Sequence, residues 1–222
     1  MLREMPSDGR QRGVPASTRE VPFRSQFASA ELIGDIVQRR RAVEDDPRWP
    51  ESGATTPDEY AMWARAGCGM ACLQMVLAAV GVEVPPLVKL ASACEAFGGY
   101  RRRATPADGV DGLIYAGFVS YVAAEFGLDA RVAAPLPLAE LVDAVAGDEV
   151  VLASVHHRIR WPDEPPPARG GHLVLVFDVD DRGLRFNNPS GHSSSTQDGV
   201  RLSLDRFQRF YAERGIAVRL PR

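Results

Sequence analysis

The stretch GCGMACLQMVLAAVG, residues 67–81, is the most apolar helix candidate in the chain. Met70, Leu73, Val76, Leu77 and Val80 keep a helical period, and Ala71, Ala78 and Ala79 permit close packing. Gly81 can end the helix in the left-handed conformation. A helix this apolar predicts burial at the centre of a fold. Its first residue is a cysteine between two glycines. Unpaired amides at a helix start favour an anion, which would draw the Cys68 thiol down toward thiolate, and Gly67 and Gly69 would leave room for a substrate backbone. Taken alone, such a cysteine reads more plainly as a buried structural residue. That is the whole reading for Cys72, one turn further on, and for Cys94, on an apolar helix face.

Upstream, Thr56 and Pro57 before DEYAMWARA give a helix with a threonine cap and a proline in its first turn. Ser29 is the candidate cap of a helix through ELIGDIVQRRR, with Arg39 to Arg41 at its negative end. EDDPRWPESGATTP, broken by prolines and a glycine, predicts a loop. Residues 1–20 read as a mobile tail, with one domain over 21–222. Downstream, VKLASACEAF, IYAGFVSYVAAEFG and LAELVDAVAG predict three more helices. After Asp148 the texture changes to EVVLASV, HLVLVFDVD and GLRFNNP, short runs rich in β-branched or aromatic residues, with DDRG closing a hairpin between the last two. SLDRFQRFYAERG predicts a last helix before the strand IAVRL. Helices first and an antiparallel sheet afterwards make the chain α+β.

The bulk numbers exclude more than they assert. A chain of 222 residues with 45% hydrophobic and 25% charged residues can fill one core. A net charge of −3 gives no support for a nucleic-acid or anionic-membrane partner. Three cysteines make no disulfide framework, so a reducing, cytoplasmic setting is expected. The N-terminal residues lack the apolar segment of a secretory signal, and no apolar run reaches the length of a membrane span.

A cysteine nucleophile needs a base and a group that orients it. Of four histidines, His172 stands out because it opens the apolar strand HLVLVFDVD directly after Gly170 and Gly171. If the hairpin turns between Asp181 and Arg182, antiparallel pairing sets His172 opposite about residue 191 and Asn188 opposite about residue 175. Asn188 thus falls near the same end of the hairpin, about three residues off direct pairing, an offset that could be absorbed where Pro189 ends the strand. A carbonyl there can accept the imidazole Nδ1–H and fix the tautomer; the plainer alternative is a simple turn at Asn187, Asn188 and Pro189. For the developing oxyanion, the Cys68 amide is one donor and Gln26 a candidate second. Sequence spacing does not place Gln26 beside Cys68.

These residues resemble a known family, the papain-clan cysteine peptidases related to bacteriocin leader-processing (double-glycine) peptidase domains, in their stand-alone form. The motifs, in order, are VPFRSQ with Gln26, GCGMACLQMVL with Cys68, VVLASV, GGHLVLVFDVD with His172, and FNNPSG with Asn188. The resemblance implies a papain-like fold, Cys68 as nucleophile, His172 as general base, Asn188 as the orienting third member and Gln26 as oxyanion donor. It implies a peptide or other amide as substrate and no metal or cofactor. Asn188 stands where the family usually has aspartate. The stretch between Gln26 and Cys68 is long for the family and could cap the cleft. Leader processing, which in the family goes with a fused transporter, is not expected here.

Other readings stay open. The same residues would serve a transferase or cyclase if an amine rather than water resolved the thioester. Cys68 and Cys72 at helical spacing, with His156, His157, His172 or His192, could ligate zinc, although the spacing matches no standard knuckle. A non-catalytic binding module is the third class. Trp161 and Gly171 are candidate substrate contacts, as are His156 and His157, against the plainer reading of a solvated loop. Arg101 to Arg103 could bind an anion but more plainly form a solvated loop, and His192 has no assigned role.

Overall fold

The apolar stretch at the centre of the chain folds as expected, into a helix from Cys68 to Ala79 whose inner residues are sealed from solvent. The computed structural model describes residues 19–104 and 109–221. The expected tail at 1–20 therefore lies, but for its last two residues, outside the described residues. Arg19 is pinned to the sheet, donating to the carbonyls of Glu149 at 2.9 Å and Gly147 at 3.1 Å.

In chain order the elements are α1 (Ile33–Val37), α2 (Pro57–Ala66), α3 (Cys68–Ala79), α4 (Leu87–Ala96) and α5 (Tyr115–Phe126). There follow β1 (Ala130–Ala133), α6 (Leu138–Ala146), β2 (Glu149–Val155), β3 (His172–Asp180), β4 (Gly183–Asn187), β5 (Val200–Leu202), α7 (Leu204–Gln208) and β6 (Tyr211–Arg219). The six strands form one antiparallel sheet in the order β1-β6-β2-β3-β4-β5. The chain is α+β, with the cysteine-bearing helix laid on the sheet.

Alternation along the strands builds two cores. Leu173, Leu175 and Phe177 of β3 face α3 and its neighbours, whereas Val174 and Val176 face α6 and α7 on the other side. Burying residues on both faces explains why β2 and β3 read as continuous apolar runs. A third, smaller core lies in the segment between Gln26 and Cys68, where Phe27, Ile33, Ile36 and Val43 pack on Tyr60 and Ala64 of α2.

Several local expectations hold. Thr56 caps α2, accepting from the Glu59 amide at 3.1 Å, and Gly81 is left-handed at φ 71°. Three do not. The helix expected after Ser29 shrinks to a 3-10 turn and the five residues of α1, because the Ser29 hydroxyl donates to Asp46 at 2.6 Å instead of capping. Arg39 then adopts a left-handed backbone, φ 59°, that turns the chain. The helix expected through residue 215 stops at Gln208, because burial of Phe210 and Tyr211 turns the remainder into β6. The short strands β1 and β5 give no signal of their own in the sequence. Among the described residues no single helix is long and apolar enough to cross a membrane.

Candidate active site

Where α2 gives way to α3 at Gly67, the chain bends by 80°, and the first residue after the bend is Cys68. Its side chain is partly open to a cleft of about 680 Å³, which His172, Gly171, Gln26 and Arg160 also line. The amides of Leu173 and Gly69 favour charge on the sulfur, as the helix-start argument expects, and so does the Arg160 guanidinium. Burial nevertheless outweighs all three and pushes the Cys68 thiol up. The expected resting thiolate is corrected by that balance. Cys72, one turn deeper, is sealed in the core, with its thiol 3.9 Å from the Leu173 carbonyl.

His172 sits at the end of a central strand, not at the sheet's edge, and pairs with Val155 of β2. It is buried, and its Nε2 lies 2.9 Å from Asn188 Oδ1. The same Oδ1 accepts the backbone N–H of Ser190 at 3.2 Å. An amide N–H can only donate, so Asn188 must present its oxygen, and His172 Nε2 must then carry the proton. The tautomer is thus fixed from the backbone. It is the reverse of the expected Nδ1–H, since it leaves Nδ1 as the basic nitrogen. Nδ1 makes no hydrogen bond among the described residues. Burial, followed by the nearby charge of Arg160, pushes His172 down to about 3, against a weaker opposing pull from Asn188.

The hairpin brings this about almost as the sequence reckoning had it. Asp180 pairs with Gly183 and Val179 with Leu184, but a bulge between Val176 and Asp178 moves the register by one, so that Leu175 faces Asn187. Asn187 itself is structural, donating to the Val21 carbonyl at 2.9 Å and accepting the Gly199 amide at 2.8 Å.

Gln26 links the two halves of the cleft. Its amide N–H donates to the carbonyl of Pro189, next to Asn188, at 3.0 Å, and its side-chain Nε2 donates to the carbonyl of Ala64, on the Cys68 side, at 2.7 Å. One of its two side-chain N–H bonds is so committed, and the second has no partner among the described residues. Oε1 is buried without a partner among the described residues.

Sequence reasoning missed Arg160 and Ser190. Arg160 Nη2 donates to Ser190 Oγ at 2.6 Å and Nε to the Ser190 carbonyl at 2.8 Å, while Ser190 Oγ lies 3.3 Å from His172 Nε2. Burial pushes the Arg160 guanidinium down to about 10. In sequence it lies in a proline-rich loop, among other arginines, where nothing marks it.

Two expectations about the glycines fail for a steric reason. A methyl at Gly69 would lie 2.6 Å from Leu113 Cδ2, and one at Gly67 would lie 3.0 Å from the Trp63 carbonyl. The protein's own side chains and backbone, rather than open cleft, occupy the room these glycines make. Of the candidate substrate contacts, Gly171 and His157 line the cleft, whereas Trp161 stacks on His192 with ring centroids 5.2 Å apart. Arg102 pairs with Glu95 and Arg103 with Asp111, so two of the three arginines engage the protein's own carboxylates. Among the described residues no group of three His, Cys, Asp or Glu side chains could hold a metal ion.

Two solved structures are among those similar to this one. The peptidase domain of Streptococcus ComA, a bifunctional ABC transporter involved in a quorum-sensing pathway, is 18% identical, with 71% of this chain and 93% of that one covered at a TM-score of 0.49. A protein described as a C39-like peptidase from Bacillus anthracis is 17% identical, with 71% and 90% covered at a TM-score of 0.47. No protein-family model and no curated protein matches the sequence.

Proposed function

We propose that the protein is a papain-type cysteine acyl hydrolase acting on a peptide or amide bond, with Cys68, His172, Asn188 and Gln26 in the roles of nucleophile, base, orienting group and oxyanion donor. The observation that carries this reading is the fixed tautomer: the Ser190 amide orients Asn188, Asn188 holds the proton on His172 Nε2, and Nδ1 stays basic in the cleft that Cys68 faces.

In the resting site both partners are neutral, so the proton moves as attack occurs. Cys68 Sγ adds to the carbonyl carbon while its proton passes to His172 Nδ1. The carbonyl oxygen becomes an oxyanion held by the Cys68 amide and the uncommitted N–H of Gln26. Collapse expels the amine, which takes the proton from His172, and leaves a thioester on Cys68. Water then attacks with His172 accepting its proton, and the second collapse returns that proton to sulfur as the acid leaves.

The test is mass spectrometry of the protein after exposure to peptide mixtures. The expected result is an acyl adduct on Cys68 that accumulates in wild type and is lost in His172→Ala. Absence of any adduct, with iodoacetamide labelling Cys68 no faster than Cys72 or Cys94, would overturn the reading. An adduct that resolves with added amines but not with water would replace hydrolysis by transfer.

A further inference from the structure

The charge of the cleft runs against the charge of the chain. The protein carries a net −3, yet among the described residues the cleft presents Arg65, Arg160, Arg214 and His157 and no carboxylate. An adjoining trough of about 500 Å³, which shares Gln26, Arg65 and Arg160 with the cleft, adds Arg39, Arg40 and Arg41 and, among the described residues, again no carboxylate. Some of these arginines are partly neutralised from behind: Arg40 pairs with Asp35 and Arg65 with Glu44. Arg39, Arg160 and Arg214 have no ion pair among the described residues.

Arg160 is the telling member. A guanidinium drawn partly out of water ordinarily has a carboxylate to offset its lost hydration. This one has a serine, and it stands beside the nucleophile. Arg39 adds a second, independent oddity: a bulky residue held in a left-handed conformation at the lip of the trough. Such strain persists where the surrounding structure holds it, and it often marks a working site.

We infer that the cleft takes acidic peptides, with Asp or Glu side chains on the leaving-group side of the scissile bond. The side follows from the proposed reaction, on which this part of the inference rests. The departing nitrogen must reach His172 to receive its proton, and Arg160 is tied to the same Ser190 that touches His172 Nε2. Arg160 therefore meets a carboxylate near the reacting bond, and the trough built by residues 36–43 meets the next ones. The long segment between Gln26 and Cys68 thereby sets specificity, supplying a cationic wall instead of a cap.

Binding tests this without requiring turnover. Fluorescence anisotropy on Cys68→Ser protein compares a short labelled Glu-rich peptide with its Gln-for-Glu counterpart and with a Lys-rich one. The expected preference for the Glu peptide over the Gln peptide is about tenfold at low salt, shrinking toward one at about 0.5 M salt. Arg160→Gln and, independently, Arg39→Asn, which keeps a residue tolerant of the left-handed backbone, each reduce it severalfold while circular dichroism stays unchanged. Equal binding of the Glu and Gln peptides, or preference for the Lys peptide, would overturn the inference. So would a single-stranded oligonucleotide that displaces the Glu peptide at equal concentration, since the cleft would then be a general polyanion sink. Because sulfur plays no part in the measurement, a missing acyl adduct and a missing charge preference are separate results.

Discussion

One wall of the cleft, made by α3 and β3, stands on hydrocarbon; the other, made by residues 27–65, stands on a buried carboxylate. Cys68 packs against the core on one face of the sheet and His172 is buried at the end of β3, and their surroundings keep both of them neutral. The opposite wall has only a small apolar cluster of its own, and its loops converge on Asp46. That carboxylate accepts from the Ser29 amide and hydroxyl, the Tyr60 hydroxyl and the Arg48 amide, at 2.6–3.0 Å. The difference teaches a division of labour: the apolar wall sets protonation, and the polar wall sets the field that a substrate meets.

The comparison breaks most sharply at His172. On the proposed reading, His172→Ala lowers the rate of Cys68 acylation by about 10²–10⁴-fold with little change in Tm, which single-turnover mass spectrometry and calorimetry would check together. If acylation survives, the apolar wall does not carry the base.

Next in size is the polar wall's foundation. Asp46→Ala leaves buried donors on Ser29 and Tyr60 unmatched and is expected to cost about 3 kcal/mol in chemical denaturation. Burial alone would raise the Asp46 pKa, but the bonds from Ser29, Tyr60 and Arg48 outweigh it and hold it below the usual carboxylate range. The stability it confers is therefore fully present above about pH 3.9 and lost as pH falls through the lowered value, a dependence the variant lacks.

A smaller effect tests how the walls communicate. His172 must be neutral to accept the thiol proton, and its pKa is pushed down to about 3, so acylation should hold well below pH 6.5. Burial is the first cause and Arg160 the second, so Arg160→Gln should move the acid limb of the pH–rate profile upward, but only part of the way back to 6.5. An unmoved limb would mean that Arg160 acts on substrate alone. The smallest effect is expected at the rim: Arg65→Gln breaks an exposed pair with Glu44 and should change stability by no more than about 1 kcal/mol while still weakening acidic-peptide binding.

Much of this was legible because the signals were local. The apolar period of residues 67–81, the cap at Thr56 and the DDRG turn each carry their meaning within a few residues, and the hairpin arithmetic brought Asn188 near His172. What was not legible depended on contacts far apart in sequence. Ser29 looked like a cap because nothing nearby announced Asp46. Residues 39–41 looked like the cationic end of a helix, though the chain turns them into a trough. Gly69 looked like open space until Leu113, more than forty positions later, filled it. The helix-start amides at Cys68 were foreseen, but the burial that outweighs them belongs to the assembled fold.

The bulge in β3 has a last consequence. With Leu175 set against Asn187, Asn188 falls two positions from His172 along the facing strand; without the bulge it would fall three positions away. In a pleated pair an even offset keeps two side chains on one face and an odd offset parts them. The extra residue works as a phase corrector: were β3 and β4 paired without the bulge, Leu175 would face Asn188, and the imidazole and its amide partner would fall on opposite faces. Here strand register, as much as residue identity, is what the chemistry requires.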